Sequence, residues 1–342
     1  MSQIERLKYL DYAKVLTIIM VVINHSFHIE AKGDLQGLYD FCVGLCRMAN
    51  FRMSSFMFVT GFLFWYIQEH KREKEPYGNY IAKRFKRLIL PVLVFSTIAF
   101  VPRSLMSVYA DESVTFSWPR FLNSFLYDDQ LVIPFYWFAI SCFWLWLFAF
   151  VVVRFVPPKR MWVFYVVMLP ICLACNEFHL LTYIKLLCIG NTIHYSLYFF
   201  LGMLCATYRL SIMEKILNNS LWILVCSAAS WWLLAYYKPT YVPVAFRDIS
   251  GILMLLSISR QIELREIHVF DHLTDSVMAI YLLMWFPNVI CQQVLHGLTG
   301  APWWVCSILS MVTAIYVPYF IRELRKKITP HAILGIKGVS II

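Results

Sequence analysis

The first apolar segment of the chain carries polar side chains whose spacing places them on one face of a helix. Asp11 and Lys14 lie three residues apart, and His25 follows Lys14 by eleven residues, which is close to three helical turns. At a rise of about 1.5 Å per residue, Lys14 and His25 are about 16 Å apart along the axis. Asn24 adds a second polar group beside His25. Because an imidazole titrates near neutral pH and can act as a general base or a nucleophile, His25 is the first candidate for chemistry.

The same spacing also has a purely structural interpretation. Asp11 and Lys14 can pair with each other near the membrane interface, with the lysine amine extending toward water. His25 can hydrogen-bond a neighbouring helix, and His28 can mark the interfacial end of the segment. For Asp11 we favour the ion pair. For His25 we favour a functional role, because an ionisable group inside a membrane usually faces a polar cavity or a partner.

A second polar group interrupts the aromatic segment "ANFRMSSFMFVTGFLFW" at residues 49–65. Arg52 is a permanent cation, so it requires an anion, a carbonyl group or water. A clamp to another helix and a substrate ligand both satisfy that requirement. Gly61, further along the same segment, allows a close approach of a second helix.

A third group is the basic cluster in "YIAKRFKRLILP", which is typical of an amphipathic helix start. Tyr80, Lys83, Arg84 and Arg87 share one helical face by their spacing. Two interpretations stand side by side. The cluster can attract anionic lipid, or it can hold a phosphate-rich ligand.

The motifs of other enzyme classes are absent from the sequence, which contains no GxSxG, no glycine-rich phosphate loop, no HExxH and no HxxxxD box. The ten cysteines are scattered through apolar segments, which favours reduced, structural thiols. Cys172 and Cys175 form one CxxC, but no second pair accompanies it. We therefore expect no metal site.

The elements that position these residues are membrane helices. Of the 342 residues, 60% are hydrophobic and only 15% are charged, and the mean hydropathy is +0.65. This composition predicts an all-α integral membrane protein with a single domain over residues 1–342, ten spans and no fused soluble domain. The predicted spans are 11–28, 44–67, 88–109, 134–153, 161–176, 190–208, 220–237, 241–258, 276–295 and 302–321.

The distribution of basic residues predicts the orientation. An even number of spans places both termini on one side, and the basic loops at 71–87, 154–160, 259–266 and 322–327 fall on that side, which predicts that it is the cytoplasm. The net charge of +10 follows from the same bias, so nucleic-acid binding is not required to explain it. The segment 176–191 is mixed in polarity and predicts an interfacial helix or a re-entrant piece.

The order of these motifs resembles the acyltransferase-3 family of bacterial membrane O-acyltransferases. In the family, an Asp is followed by a basic residue a turn later and by a His further on, as Asp11, Lys14 and His25 are here, although the basic residue is usually Arg. The segment around Arg52 is similar to the second helix of the family, where a His is common in place of Arg52. Further matches are the basic stretch before Pro91, the pair Trp137 and Phe138, the segments around Gly202 and Tyr281, and, as a departure from a common His, Met284.

The resemblance implies a membrane O-acyltransferase of the bacterial cytoplasmic membrane. The implied donor is cytoplasmic acyl-CoA, by default acetyl-CoA, with no permanently bound cofactor. The implied acceptor is a hydroxyl group of an exported or lipid-linked glycan, and His25 is implied as the catalytic base or the acyl acceptor. The donor- or substrate-binding candidates are Lys14, Arg52, Lys83, Arg84, Arg87 and Trp137, with Asp11 and Asn24 in support.

Two functions from other classes fit the same polar residues. A multi-span glycolipid transporter or flippase can use Lys14, His25 and Arg52 as an ion relay. In a non-catalytic membrane scaffold, the polar face of the first helix only contributes to packing. Consumption of acyl-CoA by the purified protein separates the enzyme from both.

Overall fold

The computed structural model describes residues 6–27, 35–69, 75–105, 117–209, 211–237 and 242–328. The structure is 84% helical, and the described residues contain no strand. A single isolated bridge joins Tyr127 to Leu186. The all-α prediction is therefore confirmed.

Sixteen α-helices are present in the described residues, several of them joined by short 3₁₀ or π turns. They are α1 (Lys8–Asn24), α2 (Gln36–Met48), α3 (Arg52–Glu69), α4 (Tyr77–Arg84), α5 (Leu90–Leu105), α6 (Trp118–Leu126), α7 (Trp137–Phe155), α8 (Met161–Glu177), α9 (Ile189–Thr207), α10 (Met213–Asn218), α11 (Ser220–Tyr237), α12 (Val244–Leu264), α13 (Val277–Leu283), α14 (Trp285–Val289), α15 (His296–Thr299) and α16 (Trp303–Ile328). The π turns are Phe85–Ile89 and Ile290–Leu295, and the 3₁₀ turns are Asp128–Gln130, Pro134–Tyr136, Pro158–Arg160 and His268–Leu273.

Some of these helices are long and apolar enough to cross a membrane. Five helical segments of the described residues meet that description, or six if Val277–Leu283 and Trp285–Thr299, which are bent by 43°, count as one span. The five are Tyr77–Ser104, Pro134–Phe155, Pro158–Glu177, Ser220–Tyr237 and Trp303–Lys327. By contrast, α1 has 17 residues and includes Asp11 and Lys14. The protein is thus a helical membrane protein, while the ten spans and the cytoplasmic termini stay predictions.

Two of the predicted segments have different boundaries in the structure. The predicted span 44–67 is divided, because α2 ends at Met48 and α3 begins at Arg52. The predicted interfacial helix within 176–191 is wrong, because residues 178–188 form successive turns between α8 and α9, while the re-entrant alternative stays a prediction. Polar and apolar residues are mixed there without a period, so the segment has no face to bury as a regular element.

The centre of the molecule is a close crossing of α3 and α9. A Cβ atom on Gly61 would lie 1.9 Å from the carbonyl oxygen of Phe199, and one on Gly202 would lie 2.0 Å from the carbonyl oxygen of Phe58. Only glycine allows the two backbones to meet at this distance. The predicted close approach at Gly61 is confirmed, and α1 and α12 pack around the crossing.

Candidate active site

The end of α1 presents His25. The helix ends at Asn24, and the His25 amide still donates to the carbonyl oxygen of Val21 at 3.1 Å. The predicted helical phase from Lys14 to His25 is therefore kept, although the helix is shorter than the predicted span 11–28. His28 lies outside the described residues. Asn24 and His25 are both half-buried.

The residue after His25 anchors this helix end. The buried side chain of Gln292 donates to the carbonyl oxygen of Ser26 at 2.5 Å, and the Ser26 hydroxyl donates to the carbonyl oxygen of Val22 at 2.9 Å. The imidazole of His25 lies against the ring of Phe135, with 5.3 Å between the ring centres. Two groups distant in sequence thus fix this region, because Phe135 contacts the His25 ring and Gln292 anchors the residue that follows it.

Phe135 is in turn fixed by two tyrosines. Tyr281 donates to the carbonyl oxygen of Phe135 at 2.7 Å, and Tyr136 donates to the carbonyl oxygen of Leu282 at 2.5 Å. All of these side chains are buried. This pair of hydrogen bonds joins the Pro134–Tyr136 turn to α13, so the wall beside His25 is pre-organised.

Lys14 and Asp11 form the predicted ion pair. The lysine amine lies 2.6 Å from the Asp11 carboxylate, and both side chains are largely buried. Asp11 also contacts the guanidinium of Arg6. Arg6 and Arg322 in turn lie 3.0 and 3.7 Å from the Asp275 carboxylate. Lys14 is therefore part of an ion-pair network of three cations and two carboxylates that does not include His25.

Arg52 is held by the end of the preceding helix. Its Nη1 atom donates to the carbonyl oxygens of Cys46 and Ala49 at 3.0 and 3.1 Å. These carbonyls belong to the last turn and cap of α2, where backbone acceptors lack helical partners. Of the two predicted roles, this geometry favours the clamp.

The basic cluster is divided by burial. Lys83 is exposed and pairs with Glu75 at 2.5 Å, whereas Arg84 is 7% exposed and its guanidinium lies 3.7 Å from the ring centre of Trp146. The π turn after α4 shifts the helical phase, which leaves Arg87 half-buried. The four residues predicted to share a face are therefore not equivalent.

No carboxylate of the described residues forms an ion pair with Arg84 or Arg87, although Glu75, the partner of Lys83, acts on Arg84 electrostatically from further away. Within the described part of the chain, no carboxylate lies within 4 Å of either guanidinium, and Arg87 is electrostatically close to Arg84. The Nε atom of Arg84 and the Nε1 atom of Trp146 are buried without a hydrogen-bond partner among those residues. Cations in such surroundings require an anion. The two arginines define the Arg84–Arg87 site.

Trp137 and the two cysteines of the CxxC segment are the remaining residues that the sequence analysis singled out. Trp137 begins α7 and stacks on Tyr195, with 4.9 Å between the ring centres. Cys172 and Cys175 are free thiols on α8. The described residues contain no group of three or more His, Cys, Asp or Glu side chains that could hold a metal ion.

Sequence reasoning missed several polar residues that organise the site. Gln292 and Asn288 lie in an apolar segment, and Asn288 accepts a hydrogen bond of 2.6 Å from Ser310 on α16. Asp248 is a buried carboxylate on α12. Each was visible as a polar side chain within a predicted span, which is the general signal for an internal contact or a function.

Apolar helices around buried ionisable side chains place this chain in the class of helical membrane proteins. The sequence profile of the acyltransferase-3 family, described as an acyltransferase domain, matches residues 7–321. Because this match covers most of the 342 residues, the chain belongs to that family. The resemblance inferred from the motifs is thereby confirmed, and membership supports acyltransferase activity in general. No curated protein and no solved structure matches the chain.

Proposed function

We propose that this protein transfers a short acyl group, acetyl in the first instance, from cytoplasmic acyl-CoA to a hydroxyl group of an exported or lipid-linked glycan. The observation that carries the proposal is the Arg84–Arg87 site, two cations without a carboxylate partner in the described residues. Charge-assisted hydrogen bonds from guanidinium groups suit the phosphates of coenzyme A. Family membership supplies the reaction class.

The distance between the two sites favours a long donor. Helix α7 links them, because Phe135, just before this helix, contacts His25 and Trp146 lies under Arg84. Eleven residues separate Phe135 from Trp146, which corresponds to about 16 Å at 1.5 Å per residue. A ligand bound by its phosphates at Arg84 therefore needs an extended arm to bring a thioester to His25. Acyl-CoA carries such an arm.

His25 is the proposed catalytic residue. As a general base, it takes the proton of the acceptor hydroxyl while the hydroxyl oxygen attacks the thioester carbonyl, and the C–S bond then breaks to release the CoA thiol with that proton. As a nucleophile, it first accepts the acyl group and releases CoA, and the acceptor then takes the acyl group from the imidazole. The contacts of His25 with Phe135 and of Ser26 with Gln292 position the ring for either route.

The proposed topology is ten spans with both termini in the cytoplasm of a bacterial inner membrane. The proposal is supported by the position of the basic loops and by the mutual packing of α1, α3 and α12, which carry polar side chains. In this arrangement the Arg84–Arg87 site faces the cytoplasmic donor and His25 lies toward the outer leaflet. Lys14 and Asp11 then serve the fold, and Arg52 clamps α2.

The test is acyl-CoA consumption by the purified protein in lipid nanodiscs, with glycan extracted from cells that lack the gene. We expect wild-type protein to release free CoA and acylate the glycan, and His25→Ala to lose at least 100-fold in rate, as for removal of a general base. The matched control is His268→Ala, an exposed histidine outside the site, which should keep full activity. Glycolipid transport by wild-type protein without any acyl-CoA consumption would favour the transporter instead.

A further inference from the structure

A second polar region lies at the ends of α3, α8, α9 and α12. Its centre is the buried carboxylate of Asp248, which accepts hydrogen bonds from Ser54 at 2.6 Å and from Tyr198 at 3.0 Å. Arg247 contacts the other carboxylate oxygen at 3.1 Å. A buried charge with this many donors is satisfied. Asp248 therefore organises the region and is not itself an open ligand site.

The orientation of Asn176 determines the protonation pattern of His194. The Asn176 amide nitrogen donates to the carbonyl oxygen of His194 at 2.9 Å, which is an acceptor only, and so the orientation of the amide is fixed. The same nitrogen lies 3.4 Å from His194 Nε2, which must then be the accepting ring nitrogen. Neutral His194 consequently carries its proton on Nδ1.

That proton has no acceptor in the described residues. Nδ1 of His194 is buried and lacks a hydrogen-bond partner there. A buried donor without a partner is unfavourable, so a ligand oxygen that accepts from Nδ1–H at this point would bind more tightly. Sequence reasoning gave no role to His194.

His194 belongs to a row of rings that starts at His25. Phe135 contacts His25, and the buried rings of Tyr281 and Phe138 connect Phe135 to Trp137. Trp137 stacks on Tyr195 at an angle of 26°. The ring of Tyr195 meets His194 edge to face, with 4.8 Å between the centres. We call Phe135, Trp137, Tyr195 and His194 the aromatic row. Trp137, Tyr195 and His194 are half-buried, so part of their surface is open.

The far end of the row is covered by a strained segment. The ring of His179 stacks on that of His194 at 5.2 Å and 16°. His179, Leu181, Leu187 and Cys188 all have φ between 50° and 63°, which is unfavourable for residues with a side chain. Hydrogen bonds from the amides of Asp128 and Leu187 to the carbonyl oxygens of Lys185 and Leu126 hold the segment in place. Such strain persists where the surroundings impose it, often at functional sites.

We propose that the aromatic row is the subsite for the sugar acceptor, with His194 as a specificity-determining residue. The half-buried surface of Trp137 and Tyr195 suits the C–H face of a pyranose ring, and the Nδ1–H group of His194 donates to a sugar oxygen. The row leads to His25, so a sugar bound along it presents a hydroxyl to the proposed catalytic base. This inference rests on the proposed function.

The test is a comparison of two Michaelis constants in nanodiscs. The probes are acetyl-CoA and the saccharide fraction extracted from cells that lack the gene. We expect His194→Phe, which keeps the ring but removes both nitrogens, to raise the apparent KM for saccharide about tenfold, as for one lost hydrogen bond. The KM for acetyl-CoA should stay within twofold of the wild-type value. A general loss of structure would not raise one KM and leave the other unchanged.

A matched control is His272→Phe. His272 also stacks on one tyrosine and meets another edge to face, since its ring lies 6.1 Å from Tyr316 and 5.4 Å from Tyr319. This variant should change neither constant. If His194→Phe lowers the unfolding temperature, His194→Met replaces it in the assay, because its sulfur is a weak acceptor for Asn176 and it has no donor for the sugar.

The outcomes separate the two proposals. Wild-type protein that consumes no acetyl-CoA with this fraction overturns the proposed function and the acceptor subsite together. Active wild-type protein with an unchanged saccharide KM in the folded His194 variant overturns the acceptor subsite alone. Equal increases in both Michaelis constants would also overturn it, because His194 would then support the fold and not the binding of the acceptor in particular.

Discussion

Two groups of cations in this protein differ in what neutralises them. Arg6, Lys14 and Arg322 lie within 4 Å of a carboxylate, supplied by Asp11 or Asp275. We call these five residues the paired network. In the Arg84–Arg87 site, neither guanidinium has such a carboxylate among the described residues, and an aromatic ring lies against Arg84.

Under the proposed function, this difference separates charges that stabilise the fold from charges that are proposed to bind the donor. In the paired network, each cation already has the counter-ion that a buried position demands, so a substrate phosphate has nothing to add. In the Arg84–Arg87 site, no carboxylate of the described residues makes direct contact, since the nearby Glu75 pairs with Lys83, and a bound anion would supply that contact. The sequence predicts the pairing of Lys14 with Asp11, but it does not distinguish Lys83, which is paired, from Arg84 and Arg87.

The largest effect is expected from removing the central carboxylate of the paired network. Asp11→Asn leaves the Lys14 amine, on a side chain only 6% exposed, without its counter-ion at 2.6 Å. Loss of one partner of a buried ion pair costs about 3 kcal/mol. We expect the free energy of unfolding to fall by about that amount, measured by thermal unfolding in detergent.

The control for this prediction removes both charges. In Asp11→Asn combined with Lys14→Met, no buried cation is left unpaired, so most of the lost stability should return. A double variant as unstable as Asp11→Asn alone would show that Asp11 acts through some contact other than charge balance.

The second effect concerns donor binding. Arg87→Gln removes one of two neighbouring cations, so without donor the unfolding temperature should stay the same or rise, because repulsion from Arg84 is relieved. The KM for acyl-CoA should rise about 10- to 100-fold, as for loss of a charge-assisted hydrogen bond. Steady-state kinetics at saturating acceptor measure this change.

Lys83→Gln is the matched control for Arg87→Gln. Lys83 lies four residues earlier, is exposed and already pairs with Glu75. Its removal should change the KM for acyl-CoA less than twofold. Equal increases in the two variants would favour attraction to anionic lipid over a defined phosphate site.

Much of the fold follows from the sequence because membrane helices are specified locally. Apolar length predicts the helices, and Gly61 predicts a close crossing without any knowledge of its partner. The position of Lys14 relative to His25 follows from helical period alone. The pairing of Lys14 with Asp11 was foreseen for the same reason, since three residues on one helix fix the distance.

The parts that the sequence did not predict depend on contacts between distant segments. Gln292 anchors Ser26 across 266 residues, and Asp248 meets Ser54 across 194. The burial of Arg84 beside the exposed Lys83 depends on the ring of Trp146, and the position of Arg87 depends on a π turn; neither has a local signal. Helical period describes one helix at a time and is silent on which face meets which neighbour.

The smallest effect tests whether the border of the paired network responds to pH. Asp271 accepts hydrogen bonds from Tyr12 at 2.7 Å and His268 at 2.9 Å, and these bonds lower the pKa of its carboxyl group. A carboxyl group with a lowered pKa stabilises the fold above its unfolded pKa of about 4 and loses that contribution as the pH falls through the lower folded value. Because the Asp271 side chain is 49% exposed, the contribution is small.

Between about pH 5 and pH 3, the unfolding temperature of wild-type protein should therefore fall by a few degrees more than that of Tyr12→Phe, measured in parallel melts. Parallel pH profiles for the two proteins would show that the hydrogen bond from Tyr12 to Asp271 contributes no measurable stability. Asp275 would then be the last carboxylate on this side of the paired network that stabilises the fold.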